Sequence, residues 1–255
     1  PTKKDAKMTL YNHMIHYGKY LFRYRGQLPL IIIIISVPII AATSHHDTLS
    51  IEYRNTIQYC SILLSIFGLC FRYYITGSTP ENTSGRNRET QIANTLNTTG
   101  AYSIVRNPLY LANYLIWIGI ASYSLSYILC IMISLLFMIY YERIIMVEEK
   151  FLSEKFKVEY DLFCQTTPIF FPEFKNYKKS KYRFSIKNIL RQEYSSTLSL
   201  IVSFIFIDIL MVFFYENNIE HNLAKWENHI YILCGSILAT VFLKVIKTTS
   251  NLLNE

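Results

Sequence analysis

Charge-free apolar runs recur along this chain, and each approaches the ~20 residues that an α-helix needs to cross ~30 Å of hydrocarbon. Six such runs fall at about 28–42, 57–75, 111–123, 125–146, 198–215 and 230–245. A soluble domain of 255 residues can bury a core, but it does not need repeated runs of this kind. With 51% hydrophobic and 15% aromatic residues and few Gly or Pro, the composition fits an integral membrane protein and excludes a low-complexity chain. The expected fold is an all-α integral membrane protein of about six transmembrane helices. Ser122 to Tyr127 leaves almost no loop between the third and fourth runs, so these form a tight helical hairpin.

The net charge of +7 would suit nucleic acid only if the basic residues formed a stripe with helical or aromatic readers. Instead they flank the apolar runs, as membrane-bordering loops do. No nucleic-acid partner is expected. Placing the N-terminus in the cytosol puts most Lys and Arg on one side and leaves only Arg54 and Lys225 on the other. That is the positive-inside asymmetry, and it supports an even number of spans. Two polar segments, 77–108 and 147–197, then share the cytosolic face, where function is expected. No small-residue cleavage site follows the first apolar run, which reads as a retained span rather than a signal peptide.

Several features read as bland. Cys60, Cys70, Cys130, Cys164 and Cys234 are scattered without a C-x-x-C pair, giving neither a disulfide framework nor a zinc site. His13 and His16 have i, i+3 spacing without a nearby third ligand, and no metal site is expected. His45 and His46 read as solvated loop residues. The Asn82-Thr83-Ser84 and Asn97-Thr98-Thr99 triplets match a glycosylation acceptor that a cytosolic loop could not use.

The chemistry-bearing stretch runs from Asn94 to Tyr110 and enters the third apolar run abruptly. Gly100 permits a sharp turn, and Pro108 suits the first turn of a helix. Backbone N–H groups at such a helix start can hold a ligand's polar end, although an ordinary interfacial cap anchored by Tyr102 and Tyr110 would look the same. A second block follows the fourth run: Glu142-Arg143, Glu148-Glu149-Lys150-Phe151-Leu152, Phe156, Tyr160, Pro168 and Phe171-Pro172. Ionisable residues at the end of an apolar span usually face a bundle interior or cavity.

Gly100, Tyr102, Arg106, Pro108 and Tyr110 together resemble the G-x-Y-x-x-x-R-H-P-x-Y signature of the isoprenylcysteine carboxyl methyltransferase-like membrane enzymes, with Asn107 where the family has His. The second block is similar to that family's E-E-x-x-L, F-G-x-x-Y and P-x-x-x-P ending, with Lys157 where the family has Gly. The resemblance spans about 92–172. It implies a cytosolic S-adenosylmethionine site lined by Asn94, Thr95, Leu96, Asn97, Tyr102, Asn107, Pro108, Leu109, Tyr110 and Glu148. It also implies catalytic roles for Arg143 and Glu148. The family's substrate Arg falls one turn before the Glu, a position held here by Ile144, so Arg143 would have to reach the site by a register shift or by its long side chain. An acceptor head group would meet Arg106 and Arg143, with Arg86 and Arg88 beside them.

The expected organisation is therefore an N-terminal tail, two spans and a loop over 1–91, a methyltransferase core over 92–172, and an appendage over 173–255. That appendage comprises a basic linker, an interfacial helix near Phe184 to Tyr194 and two further spans. The expected reaction is methyl transfer from S-adenosylmethionine to the anionic head group of a membrane lipid or lipidated acceptor. A lipid phosphate of the lipid A type is favoured, because guanidinium groups suit phosphate oxygens. A prenylcysteine carboxyl methyltransferase and an NADPH-dependent membrane reductase of the sterol type are the alternatives. A bacterial inner membrane or the endoplasmic reticulum would suit such a multi-pass enzyme, and the oligomeric state is left open.

Overall fold

The computed structural model describes residues 9–43, 49–80, 93–215, 223–250 and 252–253. Arg86, Arg88, His45, His46 and the triplet at Asn82 lie outside the described residues. Eight α-helices are described: α1 (Leu10–Tyr24), α2 (Leu28–Ala42), α3 (Ile51–Gly77), α4 (Pro108–Tyr123), α5 (Tyr127–Phe156), α6 (Val158–Thr166), α7 (Ile186–Tyr215) and α8 (Leu223–Thr249). Among the described residues the only β-type pairing is an isolated bridge between Gly100 and Lys178. The fold is an all-α membrane fold.

Each of the six apolar runs coincides with a helix. Four helices are long and apolar enough to cross a membrane, and the bent pair α1–α2 counted as one span makes five. At 16 residues, or about 24 Å of rise, α4 alone falls short of the hydrocarbon thickness. A count of six is therefore not reached by length, although all six runs are helical.

Small residues let α3 and α4 approach closely. A Cβ added at Gly119 of α4 would stand 2.7 Å from the Ser61 carbonyl oxygen of α3, and the Ser65 hydroxyl donates to the Ile116 carbonyl at 3.0 Å. Apolar side chains gain little by leaving lipid for protein, so close backbone contact and interhelical hydrogen bonds carry such packing. The α4–α5 hairpin turns at Leu125, whose φ is 61°. Ser126 caps α5 by accepting from the Leu129 N–H, and its hydroxyl shares a 2.7 Å hydrogen bond with Thr43 after α2.

Two segments differ from the sequence expectations. The N-terminal stretch forms α1 rather than a tail: Ile15, Gly18 and Phe22 lie buried on one face, and Gly18 sits against the Arg143 backbone of α5. The expected interfacial helix near Phe184 to Tyr194 is the first part of α7, continuous with the span that follows. Its polar residues explain the continuity. Asn188 and Glu193 are buried against the protein, while Ile186 and Leu190 face outward.

Candidate active site

The two polar blocks are laced together at one end of the bundle. Gly100 adopts φ +63°, ψ −135°, a conformation open to glycine. Its N–H donates to the Lys178 carbonyl at 2.8 Å. The Arg106 N–H donates to Pro168 O at 2.8 Å, and the Glu173 N–H donates to Ile104 O at 2.9 Å. The Asn107 side-chain amide donates to Ile169 O at 3.1 Å. The segment after α6 thus wraps the turn that precedes α4.

α5 contributes a stripe. Phe137, Tyr141, Ile144 and Glu148 recur at helical spacing, and Tyr141 stands against Tyr110 of α4 with ring centroids 4.5 Å apart. The Tyr110 hydroxyl donates to Glu148 Oε1 at 2.8 Å, a bond strengthened by the charge on its acceptor. Tyr102 sits in a one-turn 3₁₀ segment, Ala101–Ser103, and packs, as do Phe71, Tyr74 and Leu109, against the buried cluster of Ile75, Ala101 and Ala112. Burial and the Glu148 carboxylate hold its phenol well above the ordinary tyrosine range, with Arg72 acting against them. It therefore stands as a neutral donor. Burial, with Glu149 and Cys164 nearby, likewise raises Tyr160 in α6.

Of the residues singled out by sequence, Tyr102, Asn107, Pro108, Leu109, Tyr110 and Glu148 come together here. Leu96 and Asn97 are half-buried beside Gly100 in the chain, while Asn94 and Thr95 are exposed. Arg106 pairs with Glu149 at 3.0 Å and contacts the Cys164 sulfur, so its guanidinium braces the two blocks against each other.

Arg143 departs from its expected place. Its guanidinium donates to the Ile139 carbonyl of its own helix at 2.6 Å, about 140° around α5 from Glu148. The inward position is filled by fully buried Ile144. Besides Arg72, a cation near the cleft is Arg25, at the bend between α1 and α2. It lies 3.8 Å over the Phe22 ring and within Coulombic range of Glu148, Tyr110 and Tyr141. Sequence reasoning missed Arg25 because the segment before the first span had no assigned fold. The docking glycine, Gly18, was the one available signal.

His13 and His16 both pack on Tyr17 of α1. Among the described residues no group of three or more His, Cys, Asp or Glu side chains is placed to hold a metal ion.

A polar cluster at one end of an apolar helical bundle, built around a hairpin, draws on two chain segments. Residues 57–159 match the family model described as phospholipid methyltransferase. Over 85 residues the chain is 35% identical to the cobalt-zinc-cadmium resistance protein CzcN of Cupriavidus metallidurans, covering 33% of this chain and 39% of that protein. Over 75 residues it is 37% identical to the nickel-cobalt-cadmium resistance protein NccN of Alcaligenes xylosoxydans xylosoxydans, covering 29% and 35% respectively. The match thus spans little more than a third of either curated relative. No solved structure matches the chain.

Proposed function

We propose that the chain is an S-adenosylmethionine-dependent methyltransferase of the membrane, acting from the cytosolic side on the anionic head group of a lipid-like acceptor. The observation that carries this reading is the Tyr110–Glu148 hydrogen bond, which joins the two sequence blocks at one point. The residues present suit the cofactor. A carboxylate flanked by tyrosine rings matches a sulfonium and an ammonium in sign, and aromatic faces add attraction for cations. Asn97 Oδ1 is buried without a hydrogen-bond partner among the described residues, an acceptor suited to an amino group such as that of adenine.

S-adenosylmethionine supplies an activated methyl group, whose carbon–sulfur bond breaks as the bond to the acceptor forms. The chain's own part is placement. Glu148 and Tyr110 fix the positive end, Tyr102 and the turn at 107–110 form the wall, and Arg106 keeps the wrapping segment closed. Arg25, rather than Arg143, meets the acceptor's charge at the membrane surface. An anionic oxygen needs no general base, so alignment is the main contribution asked of the protein. A lipid phosphate of the lipid A type remains the favoured acceptor. Arg86 and Arg88 are further proposed contacts for the acceptor's head group.

The test has two arms. In detergent, S-adenosylmethionine should raise the melting temperature and NADPH should not; stabilisation by NADPH alone would replace this reading with a membrane reductase. Methyl-labelled cofactor incubated with a total lipid extract should then label an anionic lipid. Label confined to amine head groups would remove the O-methyl assignment.

A further inference from the structure

A polar chain crosses the bundle beneath the proposed site, and it begins in α7, outside the segment that matches the family. Glu193 is 2% exposed and takes Arg72 of α3 in a two-point grip, with Nε donating to Oε2 at 2.9 Å and Nη2 to Oε1 at 3.1 Å. The Thr76 hydroxyl adds a bond to Oε1 at 2.9 Å. The third guanidinium nitrogen, Nη1, donates to Asn113 Oδ1 of α4. A guanidinium has no acceptor, so Asn113 must turn its oxygen towards Arg72 and its NH₂ away. That NH₂ faces Tyr141 Oη at 3.4 Å, a long contact. Tyr141 oxygen is thereby an acceptor, and its own O–H is left to donate elsewhere; no described residue accepts it.

The direction of the bonds from Arg72 to Tyr141 is set by the donor-only guanidinium, and Glu193 holds that guanidinium in place. At its far end Tyr141 stands against Tyr110, which holds Glu148. Tyr141 and Glu148 are seven residues apart, nearly two full turns, and so lie on one face of α5. An α-amino acid bound through its ammonium at Glu148 presents a carboxylate close by, and that carboxylate needs a donor.

We propose that Glu193, Arg72 and Asn113 are positioning residues that fix Tyr141 as a hydrogen-bond donor to the carboxylate of the bound cofactor. This rests on the S-adenosylmethionine reading above. It makes α7 a working part of the site rather than an appendage.

The probes are S-adenosylmethionine and methylthioadenosine, which lacks the amino-acid portion, titrated calorimetrically into the full chain in detergent. Tyr141→Phe keeps the ring and should weaken S-adenosylmethionine about tenfold, the size of a lost hydrogen bond to a charged group, while leaving methylthioadenosine unchanged. Asn113→Asp keeps an oxygen for Arg72 but offers Tyr141 a second acceptor, which turns the hydroxyl inward. It should reproduce the selective loss, and the double variant should lose no more than either alone. Glu193→Gln should show the same selectivity together with a lower melting temperature. Equal binding of both probes by wild type and Tyr141→Phe overturns the proposal, as does an equal weakening of both probes by Glu193→Gln, which is what a purely structural ion pair would give. If the wild-type protein binds neither probe, the functional reading itself fails, and that outcome is distinct.

Discussion

At the scale of single residues, position matters more than residue type. Arg143 and Arg25 carry the same group, yet one lies along its own helix and the other is aimed at the cleft by Gly18, Phe22 and the bend after α1. Arg25→Gln should therefore raise the KM for the lipid acceptor several-fold without changing cofactor affinity, and Arg143→Gln should change neither; kinetics on both variants check this. Lys157 gives a second case. It adopts φ 48°, ψ −118° between α5 and α6, a region disfavoured for any side chain. Lys157→Gly should stabilise the protein by about 1 kcal/mol, the strain relieved less the added freedom of the unfolded glycine, read as a higher melting temperature. Tyr102 adds a pH expectation. Its phenol is held above the unfolded value of 10.0, so the stability linked to it is whole below about pH 10 and is lost as pH rises beyond that. Alkaline titration monitored by tyrosine absorbance, alongside melting curves of wild type and Tyr102→Phe, checks the sign. Much of this scale was legible beforehand: Gly100, Tyr102, Tyr110 and Glu148 stand in motifs, and the departure at Lys157 marks the strained turn. Arg25 was not legible, because its place depends on α1 docking through Gly18 against Arg143 of α5, far along the chain, rather than on its neighbours.

At the scale of elements, periodicity and length gave the helices that cross or nearly cross the membrane, because apolar runs have few other solutions in lipid. The same reasoning misjudged the segments of mixed character. α1 is amphipathic with a narrow buried face, and the first turns of α7 hide Asn188 and Glu193 inward while showing Ile186 and Leu190 outward. A hydropathy pattern there points the wrong way, since lipid reverses which face should be apolar. Breaking the Arg72–Glu193 pair singly should be costly. Glu193→Leu should lower stability by roughly 3 kcal/mol, since it strands a buried guanidinium, and the added change Arg72→Met should recover most of the loss. Denaturation of the two variants in detergent checks the pattern. Gly119→Leu should prevent α3 and α4 from closing, with loss of the folded monomer by size-exclusion chromatography, because its first carbon already meets the Ser61 carbonyl.

At the scale of the whole molecule, the bundle is organised by its ends. One end joins α2, α5 and α7 through Thr43–Ser126 and Tyr215–Ile40, and it ties α8 to α7 through His229–Asp208. The other gathers the turn before α4, the end of α5, α6 and the wrapping segment into one polar cluster. The family match covers 57–159, whereas Arg25 lies before it and Glu193, paired with Arg72, lies after it; both are proposed here to serve the site. The account depends on the two blocks forming a single pocket for S-adenosylmethionine. Ultraviolet crosslinking of radiolabelled S-adenosylmethionine to the full chain in membranes, followed by peptide mapping, tests that directly. Label should fall on peptides from both 94–110 and 141–173, and excess unlabelled S-adenosylhomocysteine should abolish it. Label on neither block, or on one block alone with the other unaffected by competition, would contradict it.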